Sequence, residues 1–199
     1  MKNFFETFKN IYKIEELRQR ILYTLLIILI YRLGSHIVLP GINPASLGEF
    51  TKATQEGLLG MLDLFSGGAF SNASIFALGI MPYISASIVI QLMTLAVPYF
   101  QRLQKEGDSG RKKINQLTRY LTVAVVAIQA PAYIANIQNQ FAGAVSETML
   151  STSILGFSAF SLTSFILLIG GTLFIMWLGE RITDKGLGNG ISLIIMIGI

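Results

Sequence analysis

The chain has 199 residues, 52% of them hydrophobic and only 13% charged, against about 25% charged in a soluble domain; its mean hydropathy is +0.60. That composition excludes an ordinary soluble domain and points to the bilayer. The net charge of +4 does not indicate a nucleic-acid partner, because the basic residues flank apolar runs and form no basic face interleaved with aromatics. The absence of cysteine removes disulfides, thiolate nucleophiles and thiolate metal sites.

In chain order, the opening MKNFFETFKNIYKIEELRQR mixes acids and bases, and no small-residue cleavage site follows its apolar run, so a cleaved signal peptide is not expected. A helix crossing about 30 Å of hydrocarbon needs about 20 mostly apolar residues. The runs 21–40, 75–100, 120–137 and 160–178 meet that length, whereas a fifth, 187–199, with its helix from 190, is uncharged for 13 residues and too short. The chain is therefore expected to be the N-terminal portion of a larger protein. Lys and Arg number five before the first run, one in 41–72, six in 101–119, none in 138–159 and two in 180–186. This alternation predicts a cytoplasmic N-terminus, with 41–72 and 138–159 outside.

The outside segment 41–72 contains GLLGMLDLFSGGAFSNAS, in which Leu58, Leu59, Met61, Leu62 and Phe65 fall on one face of a short helix, expected over about 58–71 and including Leu64. Ser66-Gly67-Gly68 reads as a flexible break. Such a helix lies either on the outer leaflet or folded back into a cavity of the protein.

The second run carries no charge from Ala73 to Phe100, yet contains Ser74, Gly79, Pro82, Ser85, Ser87 and Gln91. An unpartnered hydroxyl or amide in hydrocarbon costs free energy, so this span is expected to face something other than lipid. Ile80, Ile84 and Ile88 recur at one-turn spacing, and Ile191 and Ile195 repeat the device in the fifth run. Either they are core or lipid-facing isoleucines, or two helices line a passage with a dry middle.

The loop KEGDSGRKK, with Lys105, Arg111, Lys112 and Lys113, fits topology and attraction to anionic lipid, or a cytosolic partner. KGLGNGIS matches no phosphate-binding pattern and reads as a tight turn re-entering the membrane. His36 is the single histidine, every Asp and Glu lies outside the apolar runs, and Arg32 is the one charge within a run, near an end where it can snorkel or pair. These residues offer no nucleophile with a base, no carboxylate pair and no metal cluster, so neither bond chemistry nor a cofactor is expected.

At these residues the sequence resembles the SecY family, the channel subunits of the bacterial protein translocase. FALGIMPYISASIVIQLM (76–93) and WLGERITDKGLGNGISLII (177–195) resemble the family's two signatures; FSGGAFSNASIFALG and KEGDSGRKKINQLTRY resemble stretches adjoining its second span. The resemblance implies an all-α, multi-span membrane bundle, the N-terminal half of an inverted-repeat clamshell. It implies a pore ring at Ile80, Ile84, Ile191 and Ile195, a plug around 61–71 (Met61, Leu62, Leu64, Phe65, Ser66) hinged at Gly67 and Gly68, and a lateral gate on the side of Ser85, Ser87 and Gln91. It further implies SecE and SecG subunits, the SecA ATPase, the ribosome, a translocating preprotein and membrane lipid as partners, in a bacterial plasma membrane. A secondary transporter half for a small solute is the main alternative; a scaffold for assembling membrane proteins is another.

Overall fold

The computed structural model describes residues 14–44, 58–140, 145–154 and 156–198. The first helix, α1 (Glu15–Ser35), buries one stripe, Thr24, Ile27, Tyr31, Gly34 and Ser35. Its opposite face, Leu22, Leu25, Leu26, Leu29 and Leu33, is exposed. A helix apolar on both faces suits protein on one side and hydrocarbon on the other. Arg18, Arg20 and Arg32 within it keep it out of the helices that qualify as spans by composition alone.

The short helix α2 (Leu58–Ser66) ends five residues before the expected limit of 71. Residues 67–80 form hydrogen-bonded turns, and Ala69, Phe70, Ala73, Phe76 and Ala77 are buried there. The expected helical start at 75 is thus corrected to Met81, where α3 (Met81–Ala96) begins with proline in its first turn, a position where the missing N–H costs nothing. The turns spend their backbone groups on the chain after α1: Leu39 N–H donates to Ala73 O at 2.9 Å and Ile75 N–H to Ile37 O at 3.0 Å. An apolar run looks alike as helix or as buried turn.

Nor does α3 continue to 100. Pro98 pushes Val97 to extended geometry (φ −108°, ψ 121°), and α4 (Pro98–Lys105) leaves at 97°. The expected basic loop is a second correction: 101–119 is helical apart from a turn at Glu106 and Gly107, and α5 (Asp108–Gln140) carries the rest. After α6 (Glu147–Ser151) and a two-residue hairpin, β1 (Ser153–Ile154) on β2 (Phe157–Ser158), the long α7 (Ala159–Lys185) and then α8 (Gly190–Gly198) follow.

The protein is a helical membrane bundle built around α7, which packs on α1, α5 and α8. Among the described residues, α5 and α7 are long and apolar enough to cross a membrane, and α3 with α4 make a third such span if the bent pair counts as one. Two apolar clusters fill it. One joins α5, the start of α7 and the extended segment through Leu39 and Ile42; the other joins α1, the start of α3, the end of α7 and α8. Some buried hydroxyls turn back onto their own helices, as Thr122 does to Thr118 O at 2.7 Å, which satisfies them without water.

Candidate pore ring, plug and gate

The four ring candidates meet in the second cluster although more than a hundred residues separate Ile84 from Ile191. Ile80 is the N-cap of α3 and is 2% exposed. Ile84, Ile191 and Ile195 are partly buried against the same group, with Ile194 buried between the last two. Ile88, the third residue of the sequence ridge, is exposed.

What holds α8 in place is the KGLGNGIS turn. Asn189 Oδ1 accepts from the N–H groups of Ile191 (3.1 Å) and Ser192 (3.3 Å), an N-cap that satisfies two of the helix's orphan donors. Thr183 Oγ1 accepts from Gly190 N–H at 2.9 Å, and Thr24 Oγ1 from Leu187 N–H at 3.1 Å. The turn therefore ties the fifth run to both α7 and α1, and Asn189 is a positioning residue that apolar periodicity could not reveal.

The plug candidate α2 packs on α8. Its expected hinge is a closed turn: Gly67 N–H donates to Leu64 O (3.2 Å) and Gly68 N–H to Asp63 O (3.0 Å), with φ of +67° and +79° at the two glycines, a Schellman C-cap. Asp63 Oδ1 accepts from Ser71 N–H at 2.8 Å, and Ser66 Oγ from Phe70 N–H at 3.0 Å. Ser66 is buried, while Met61, Leu64 and Phe65 are exposed; the Leu62 side chain lies outside the described residues. Tyr31 Oη donates to Ser66 O at 3.1 Å, and the Arg32 guanidinium donates to Gly67 O at 3.3 Å and to Ile197 O. Tyr31 gave no signal in the sequence; Arg32 was visible as the lone charge of its run, but its partners were not.

The gate candidates lie on α3. Ser85 and Gln91 are exposed and Ser87 half-buried, with Gln91 Nε2 donating to Ser87 Oγ at 3.2 Å. Their helix buries Pro82, Ala86 and Ile90 and leaves Ile88, Val89, Leu92, Met93 and Leu95 exposed. Beyond the bend that follows α3, Lys105, Arg111, Lys112 and Lys113 are exposed, and Lys113 lies 3.5 Å from Glu106. Arg119 makes a bidentate pair with Glu180 (Nε–Oε1 3.0 Å, Nη2–Oε2 2.5 Å), clamping α5 to α7. Among the described residues no group of His, Asp and Glu could hold a metal ion.

The SecY family model matches residues 74–199, a stretch containing the ring and gate candidates. The chain is 46% identical over 195 residues to the protein translocase subunit SecY of Aquifex aeolicus, covering 98% of this chain and 44% of that protein. The chain belongs to the SecY family. The SecY of Haemophilus influenzae is 47% identical over 184 residues, 92% of this chain and 40% of its own length. This chain thus spans less than half the length of these SecY relatives. A solved protein-conducting channel shares this chain's fold at a TM-score of 0.54 and 19% identity, over 91% of this chain and 36% of that one.

Proposed function

We propose that this chain forms the N-terminal portion of a Sec translocase channel that passes unfolded polypeptides across the bacterial plasma membrane and releases apolar segments sideways into lipid. The observation that carries the reading is the convergence of Ile80, Ile84, Ile191 and Ile195 in one apolar cluster that includes α8, on which the short α2 packs. Isoleucines from two distant helices make a seal that is unfavourable for water and ions yet binds no substrate. Met61, Leu64 and Phe65 on α2 are exposed within this chain, as is the apolar face of α3; both suit surfaces completed by an opposite channel half.

In this reading α1, the bent pair α3–α4, α5 and α7 are four spans, and α8 begins a fifth. The alternating Lys and Arg counts support a cytoplasmic N-terminus and a cytoplasmic basic α4–α5 turn. SecA or the ribosome supplies the driving force on that side, SecE and SecG complete the complex, and the chain itself performs no bond chemistry.

The test is a chimera in which these 199 residues replace the matching portion of the Aquifex aeolicus SecY, expressed in cells depleted of their own SecY. Export of a signal-bearing reporter is expected to be restored. A chimera that inserts and accumulates normally but exports nothing would contradict the channel reading.

A further inference from the structure

We propose that Tyr31 and Arg32, neighbours on α1, form a latch that holds the plug helix closed. This rests on the channel reading for its consequence, but the contact itself stands on geometry. A helix leaves its last carbonyls without partners inside the helix and carries partial negative charge at that end. Here the carbonyls of Ser66 and Gly67 at the end of α2 receive the Tyr31 hydroxyl and the Arg32 guanidinium, while the second arm of the same guanidinium reaches Ile197 O on α8. One cation thus bridges the plug turn and α8.

The packing leaves little slack around it. Tyr31 is 2% exposed and stacks on Phe76 with ring centroids 6.1 Å apart, which fixes where its hydroxyl points. A Cβ on Gly67 would stand 3.0 Å from Gly198 Cα and 3.2 Å from Arg32 Nη1, so the plug turn sits directly against α8 and the guanidinium. Moving α2 out of its seat must break the Tyr31 and Arg32 bonds together. A guanidinium cannot shed its charge to soften that loss, and lysine, a point donor, cannot reproduce the fork. Tyr31 and Arg32 are positioning residues: they act through the plug and need not touch a passing chain.

The chain has no cysteine, so a single Ser71→Cys probe reports on the seat. Ser71 is 3% exposed, and its N–H is bound to Asp63 of α2. Alkylation by a membrane-impermeant maleimide would be followed in vesicles holding the chain in its translocase. Tyr31→Phe and Arg32→Gln are each expected to speed labelling about tenfold, as loss of a buried or charge-assisted hydrogen bond implies, with Arg32→Lys falling between Arg32→Gln and the parent. Thr122→Cys, buried in α5, monitors the bundle and should stay protected in every variant. If Arg32→Gln also exposes Thr122→Cys, that variant has unfolded and Tyr31→Phe, which removes only one hydroxyl, decides alone. Unchanged labelling of Ser71→Cys in folded Tyr31→Phe and Arg32→Gln would overturn the latch. Failure of the channel reading has a different signature, a chimera that does not export, whatever the alkylation rates.

Discussion

Gly190 opens α8 at a place where a Cβ would stand 2.0 Å from Gly179 O and 2.6 Å from Ile182 Cβ. Both obstacles belong to the packed wall of α7, so neither can swing aside as a flexible side-chain end would. Gly190→Ala is expected to push α8 away from α7 and destabilise the bundle by about 1–3 kcal/mol, the range for overpacking a close contact. Its thermal unfolding midpoint in detergent should fall below the parent's, whereas Gly170→Ala, where a Cβ meets nothing within 4 Å, should not lower it; equal midpoints for both would contradict the packing. Gly190 was legible as part of a tight turn re-entering the membrane, and the turn is there. Arg32 was legible only as a cation near the end of an apolar run. Its partners lie 35 and 165 residues away, and no local pattern encodes contacts at that separation.

At the scale of elements, hydropathy located the apolar runs well and their conformation less well. The third and fourth runs became α5 and α7, each longer than its apolar part because polar helix formers extend them at one end or both. The second run was divided three ways, into buried turns to Ile80, helix to Ala96 and a sharp bend at Pro98. Gly79 at φ +56°, Pro82 and Pro98 marked those joints in the sequence, but apolarity across the whole stretch masked them. Burial sets the limits of the plug. Ala69, Phe70 and Ser71 are buried, and Tyr133 Oη donates to Phe70 O at 2.8 Å, so removing 61–71 would cut into the core. Deleting 58–65 spares those residues. The shorter deletion is expected to leave amounts of inserted chimera near normal and to raise resting ion leak, while the longer one lowers the inserted amount as well; equal accumulation of the two would show that 66–71 is dispensable to the fold.

For the whole molecule, the two long motifs at 76–93 and 177–195 carried the family in the sequence, and the fold brings their isoleucines into one cluster. What the sequence could not display is how closely the ring and the plug are tied to α1, through Thr24, Tyr31 and Arg32 on a helix that the sequence marked only as an apolar run of spanning length. Resting ion conductance of the chimeric translocase in planar bilayers bears most directly on the central claim, that Ile80, Ile84, Ile191 and Ile195 seal a pore. Replacing all four with serine wets the constriction while costing less than the roughly 2–5 kcal/mol of a fully buried truncation, because three of the four are only partly buried. The serine variant is expected to fold into a channel that leaks ions at rest and admits substrates with weaker signal sequences. A folded variant as tight as the parent would place these isoleucines in ordinary core and contradict it.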